Sequence, residues 1–144
     1  MDELKLALSK VLANTFVMYF KAHAYHWNVE GMFFPQFHEF FGNLYEELHG
    51  AVDPIAEHIR AIDGYAPASL TDMKTFSMIT ESSLVTEAKQ MVDNLITDNN
   101  LIIISLMQAY QEAEKASEIG LANFLQDRID IHQKHGWMLK ATAK

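Results

Sequence analysis

Apolar side chains recur at three- and four-residue steps through four long segments of this chain, a period that belongs to helices rather than strands. The first segment carries Leu4, Leu8, Val11, Leu12, Met18, Tyr19 and Ala22 and breaks at Asn28 to Gly31. The second opens with Pro35, which a first helical turn tolerates, and aligns Phe37, Phe41, Leu44, Leu48, Val52, Ile55, Ile59 and Ile62 on one stripe. It runs through Pro54, where a kink or a lost backbone hydrogen bond is expected, and stops near Asp63-Gly64. The third begins at Ser83, a suitable N-cap, and keeps near-heptad spacing through Val85, Ala88, Val92, Leu95, Ile102, Leu106, Tyr110 and Ala113. After Ser117, the fourth places Leu121, Phe124, Leu125, Arg128, His132, His135, Met138 and Leu139 in register.

The joints inside the first and second helical pairs are short. Between the pairs, Asp63 to Ser83 is rich in Gly, Pro, Ser and Thr, apart from Asp72 to Phe76, which can make one or two helical turns. A connection of that length crosses a bundle from end to end or carries an interface. The reading is therefore all-α: one domain over residues 1–144, a four-helix bundle with a short extra helix in the long crossover between the second and third helices. Six Gly and three Pro in 144 residues agree with long helices and few turns, and 49% hydrophobic content supplies one core.

With no cysteine, disulfides, thiolate zinc sites, iron–sulfur clusters and thiol nucleophiles are excluded, so any metal must sit on His and carboxylates. The start, Met1-Asp2-Glu3-Leu4-Lys5, has no basic segment followed by an apolar run, and the richest apolar stretch, Leu101 to Leu106, is too short to span a membrane. A cytoplasmic protein with no membrane partner is expected. The net charge of −8 opposes binding to a phosphate backbone unless basic groups cluster. Lys134, Lys140 and Lys144 are too sparse for that, and read instead as cations placed on the last helix dipole.

His23, His26, His38, His49 and His58 fall in one stretch with Glu30, Glu39, Glu46, Glu47, Asp53 and Glu57. Imidazole and carboxylate suit iron, manganese or zinc. Asp53 and Glu57 are i and i+4, so they leave one face of the second helix a turn apart and can clasp one cation. His38 lies fifteen residues earlier, a rise of roughly 22 Å at ~1.5 Å per residue, and cannot share that cation within one subunit. If two copies of the second helix pack antiparallel across a two-fold axis, the His38 end of one meets the Asp53/Glu57 end of the other, and the symmetry makes two equal sites. His26, at the end of the first helix, can join the His38 side.

The run Ala24-Tyr25-His26-Trp27-Asn28-Val29-Glu30-Gly31, the Phe37-His38-Glu39 that follows at twelve residues, and Asp53-x-x-x-Glu57 together closely resemble the ferroxidase motif of Dps-type miniferritins. The tail Lys134-His135-Gly136-Trp137-Met138-Leu139-Lys140-Ala141 resembles the end of that family's last helix, so the likeness covers nearly the whole chain. The resemblance implies a ferritin-like fold and a hollow homo-oligomeric shell of twelve subunits. It implies oxidation of Fe(II), preferably with hydrogen peroxide, storage of the ferric product, and protection against oxidative stress. Carried over by position, His26 and His38 come from one subunit and Asp53 and Glu57 from its two-fold mate, with Zn or Mn as substitute metals. Trp27 lies beside this site, as a packed aromatic or as an interceptor of oxidising equivalents. Acidic pore residues are expected near the start of the fourth helix, with Glu114, Glu118 and Asp127 as candidates, although ordinary solvated surface is the stronger reading of these three.

The sequence departs from the family at Gly42, where an Asp four residues after the second histidine is usual. The second iron position should be weaker or differently liganded; Glu46 and His49, further along that helix, are possible extra ligands. DNA binding, which in the family commonly uses a basic terminal extension, is not expected, since the helical pattern begins near Met1 and the tail is short. Two other readings compete. A di-iron carboxylate site inside the bundle would use Glu-x-x-His motifs, of which Glu46-Glu47-Leu48-His49 is the single example. A non-catalytic, metal-binding or merely structural shell would fit an incomplete ferroxidase centre.

Overall fold

Packing the apolar stripes against one another decides the architecture. The computed structural model describes all residues from Met1 to Lys144. It has five helices: α1 (Asp2–Asn28), α2 (Phe34–Ala61), α3 (Leu70–Phe76), α4 (Ala88–Lys115) and α5 (Ile119–Ala143). α1 packs against both α2 and α4, and α4 against α5, so two antiparallel hairpins are joined along the α1–α4 seam. Leu8, Leu12 and Met18 of α1, Leu48 and Ile55 of α2, Leu95 and Ile102 of α4, and Leu125 and Leu139 of α5 are all fully buried. They belong to one cluster of 26 residues, which makes the hairpins a single body. Each such side chain contributes about 1.5–3 kcal/mol by leaving water.

The long crossover is tied down at both ends. Ser69 caps α3 by accepting from Asp72 N–H at 3.0 Å, so this helix starts ahead of Asp72. Asn14 Oδ1, buried on α1, accepts from Met78 N–H at 2.7 Å and from the Ser77 hydroxyl at 3.0 Å, which fixes where the chain leaves α3. α4 begins at Ala88 rather than at Ser83, because the residues before it are held extended. Glu30 N–H donates to Thr86 O at 2.9 Å, Glu30 and Glu87 form a parallel bridge, and Ser82 shares a 3.2 Å hydrogen bond with Tyr25. A backbone already paired to the α1–α2 turn is not free to wind into a helix.

α2 is one helix through Pro54, as its stripe suggests. It ends where Asp63 turns to φ 63° and Gly64 N–H reaches back to Ile59 O at 2.9 Å. A Cβ on Gly64 would stand 3.1 Å from that same carbonyl oxygen and 3.0 Å from Ile59 Cγ2, a crowding that glycine avoids. No helix is long and apolar enough to cross a membrane.

Candidate metal centre

The turn between α1 and α2 brings two histidines together. Gly31 takes φ 127°, which lets the chain reverse within a few residues, so the last turn of α1 faces the first turns of α2. The His26 and His38 rings stack with centroids 3.7 Å apart and planes 17° from parallel. Each is locked by the other's backbone: His26 Nδ1 lies 2.6 Å from His38 O, and His38 Nδ1 lies 2.7 Å from His26 O. A carbonyl only accepts, so each Nδ1 carries a proton, and the tautomer this selects keeps its lone pair on Nε2. This is the arrangement of a metal-ligating histidine, in which the distal nitrogen fixes ring and tautomer for the ligating one.

Asp53 and Glu57 are exposed on the far part of α2 and do not meet the histidines within the chain. No three His, Asp or Glu side chains of one chain converge on a point that could hold a metal. The chain thus carries an imidazole pair and a carboxylate pair, with Asp53 and Glu57 fifteen and nineteen residues beyond His38 on α2.

Gly42 lies between them and is buried under His26. A Cβ at this position would stand 3.1 Å from His26 Cε1 and 3.1 Å from His26 Nδ1. The space that a side chain at position 42 would need is therefore the space in which the His26 ring is seated. Glu46 and His49 are exposed further along, with the His49 ring 4.9 Å from that of Tyr19.

Beside the histidine pair is an aromatic cluster that periodicity alone does not reveal. His23 stacks face to face on Tyr45, with centroids 3.8 Å apart and planes 7° from parallel, and its Nδ1 is 3.0 Å from the Tyr19 hydroxyl. Trp27, 56% exposed, packs on the same ring at 4.3 Å. Desolvation lowers the His23 pKa, and the charges of His26 and His49 lower it further. The one sequence hint is spacing: Tyr19, His23 and Trp27 are consecutive at i+4 on α1.

The second group that sequence reading misses lies inside the bundle. Arg128 and His132, placed on an apolar stripe, are 5% and 0% exposed. Arg128 donates to both Glu47 oxygens, at 2.5 and 3.1 Å, and His135 Nε2 is 2.7 Å from Glu47 Oε1. Burial alone would raise the Glu47 carboxyl, but the His135 and Arg128 hydrogen bonds and the Arg128 charge outweigh it and hold it at about 2. Asn99 completes the network: His132 Nδ1 donates to its Oδ1 at 2.8 Å, and its Nδ2 donates to His132 O at 2.8 Å. His132 Nε2, 3.1 Å from Arg128 Nη2, accepts, so this ring is neutral. Burial, with the Arg128 and His135 charges adding to it, pushes its pKa well below the ordinary value.

This bears against the Glu-x-x-His reading: Glu46 and His49 are exposed, and the half-buried Glu47 is already paired with the Arg128 guanidinium. Of the pore candidates, Glu114 and Glu118 line a cleft of about 420 Å³ with Tyr110 and Gln126, and Asp127 is exposed outside its lining. A hydrogen bond to Glu114 raises the Tyr110 hydroxyl pKa.

Comparison with known proteins agrees with this architecture. The Ferritin-like domain family matches residues 5–144. General stress protein 20U of Bacillus subtilis is 34% identical over 143 residues, covering 97% of this chain and 97% of that protein. The DNA protection during starvation protein of Brevibacillus brevis is 35% identical over 135 residues, covering 93% and 90%. A Dps protein of Vibrio cholerae, described as a member of a broad superfamily of ferritin-like diiron-carboxylate proteins, superposes with a TM-score of 0.95 at 25% identity, covering 99% of this chain and 90% of its own. The chain belongs to the ferritin-like family, as a miniferritin of the Dps type. At the level of that family, the fold serves iron binding and storage in a shell.

Proposed function

We propose that the chain oxidises Fe(II), with hydrogen peroxide as the preferred oxidant, and stores the ferric product inside a hollow shell of twelve copies. Iron is the substrate. It is held at a two-fold interface by His26 and His38 of one copy and Asp53 and Glu57 of the other. The observation that carries this reading is the reciprocal lock of the two histidines, which leaves two Nε2 lone pairs on adjoining rings with no partner in the chain. Two imidazoles alone are a poor site for a hard divalent cation, and the exposed carboxylate pair on α2 supplies the missing charge when a second copy packs antiparallel. Peroxide and ferrous iron are consumed together, which suppresses hydroxyl-radical formation and protects against oxidative stress.

Gly42 favours a second reading, a shell that binds metal without rapid oxidation, because the centre then has four protein ligands and no carboxylate between the pairs. Anaerobic Fe(II) titration followed by peroxide separates the two, with particle size followed by light scattering on the same sample. Glu57→Ala is expected to weaken Fe(II) binding by more than the roughly 10–100-fold typical of losing an outer-shell partner. Unchanged binding in that variant would sink the site assignment. Tight Fe(II) binding without peroxide-dependent oxidation would leave the binding shell as the function.

A further inference from the structure

We propose that Glu46 and His49 of two copies together hold a divalent transition-metal ion, zinc by its ligand set, on the two-fold axis midway between the two proposed iron sites, and that this ion staples the pair. The inference rests on the antiparallel packing of α2 proposed above. It adds a metal position that neither copy can form alone.

His38, Gly42, Glu46, His49, Asp53 and Glu57 follow one another along α2 at steps of four, four, three, four and four residues, so all six lie on one face of the helix. The members at the two ends belong to the proposed iron sites. If His38 of one copy stands level with Asp53 to Glu57 of the other, the two-fold axis crosses α2 between Tyr45 and Leu48. At ~1.5 Å per residue, Glu46 and His49 each lie within about 5 Å of that axis along the helix, whereas His38 lies roughly 11–14 Å from it. Symmetry then brings two carboxylates and two imidazoles together in the middle of the interface.

The charges there call for a cation. Glu46 and His49 are both exposed in the single chain, and no hydrogen bond or ion pair engages either side chain. The His49 ring rests against Tyr19, with centroids 4.9 Å apart, which supports the imidazole from α1. α2 contains no lysine, and its one arginine, Arg60, donates to Gly64 O at 2.6 Å near the far end of the helix. On α1, Lys21 is committed to Asp98 at 2.8 Å and to Thr80 O at 3.0 Å. Two Glu46 carboxylates closed into the interface without a cation would repel each other and lose hydration together. Two imidazoles and two carboxylates make a four-coordinate set that suits zinc, and such ligands hold zinc more tightly than ferrous iron or manganese. The bound ion cancels the repulsion and ties the two helices across the axis, so that metal binding and pairing stabilise each other.

The test titrates Co(II), a coloured stand-in for zinc, into the metal-free assembled protein, with particle size and urea unfolding followed on the same samples. Glu57→Ala is the starting variant, since it weakens the proposed iron sites and leaves the axial residues in place. It is expected to keep one tight Co(II) per two chains, with the visible absorption of a four-coordinate ion, and to unfold at higher urea when Co(II) is present. Adding His49→Ala or Glu46→Gln should lower the affinity for that ion by at least about tenfold and remove the stabilisation. Tight Co(II) in Glu57→Ala that survives His49→Ala overturns the proposal, because the ion then sits elsewhere. Absence of tight Co(II) from Glu57→Ala, when the wild type binds two per pair of chains, overturns it while leaving the iron sites standing. A wild type that holds one Co(II) per pair, lost with His49→Ala and indifferent to Glu57→Ala, supports the axial ion and removes the iron sites. A monomeric wild type removes both.

Discussion

Two regions of the molecule use the same side chains to opposite ends. At the α1–α2 turn, His26 and His38 satisfy one nitrogen each and leave the other bare, while their carboxylate counterparts lie on another part of α2. Inside the bundle, Glu47, Arg128, His132, His135 and Asn99 form a group in which each of these residues is hydrogen-bonded and the carboxylate charge is balanced. Residue type does not distinguish them. What does is unfilled capacity: the first group has lone pairs to give and no cation, and the second has already spent its acceptors on a guanidinium. The first is the proposed site, and the second is part of the framework that holds α2, α4 and α5 in register.

The sharpest way to break that distinction is to remove the guanidinium. Arg128→Met leaves Glu47 with His135 as its remaining partner and costs about 3 kcal/mol, the lower end for a broken buried pair, since the Glu47 side chain retains 31% exposure. Chemical denaturation at fixed protomer concentration measures it, because the stability of an oligomer depends on concentration. Replacing both partners, Arg128→Met with Glu47→Leu, should recover most of the loss, as buried ion pairs often exchange for apolar packing without penalty. Neither variant should move Fe(II) affinity by as much as tenfold, about 1.4 kcal/mol. A large loss of iron binding in the double variant would show that the framework and the site are one unit.

A smaller effect comes with pH. His132 is held neutral, with a folded pKa well below its ordinary 6.5, so its contribution is complete above 6.5 and is lost as pH falls and the unfolded chain takes up the proton. Glu47, held at about 2 against an ordinary 4.5, acts in the same direction in a lower window: its contribution is full above 4.5 and is lost on acidification toward 2. Asp98 opposes them, since burial raises its carboxyl despite Lys21 at 2.8 Å, and its contribution declines as pH rises above 3.8. One proton corresponds to about 1.4 kcal/mol per pH unit. A denaturation series should therefore show stability falling just below pH 6.5 in the wild type, and His132→Leu should lose that upper limb while keeping the steeper decline below pH 4.5. An unchanged upper limb in His132→Leu would place the acid sensitivity elsewhere.

The bundle was legible in the sequence because its helices are long and their stripes keep one period over many turns. Leu8, Leu48, Leu95 and Leu125 are buried where the spacing puts them. The start of α4 was not legible, because Ser83 reads as a cap and only the pairing of Glu30 with Thr86 shows that it is held extended. Candidate ligands were nameable from their spacing and the family motif, but the lock that makes His26 and His38 useful depends on two carbonyls, which every residue has. Spacing puts Arg128 and His132 in an apolar stripe, while Arg128's partner Glu47 sits eighty-one residues away on α2 and His132's partner Asn99 on α4. Spacing within one helix carries no information about a partner on the next.

The smallest expected effect is at Gly42, and it bears directly on the first of the two regions. An alanine in mid-helix gains up to about 1 kcal/mol over glycine. Here its Cβ would meet the His26 ring at 3.1 Å, and that ring is held at 2.6 Å by His38 O, so it cannot swing aside without loosening the lock. Gly42→Ala should therefore change stability by less than about 1 kcal/mol, with the propensity gain offset by crowding. Its effect on iron should be a modest loss of affinity, as the His26 Nε2 is tilted from its seat. Gly42→Asp carries the same crowding and adds a carboxylate. If titration gives two ferrous ions per site in the Asp variant but one in the wild type and the Ala variant, the glycine sets the occupancy. If both variants merely weaken the first ion, His26 has been fitted to the glycine, and a carboxylate cannot be restored there without moving the histidine first.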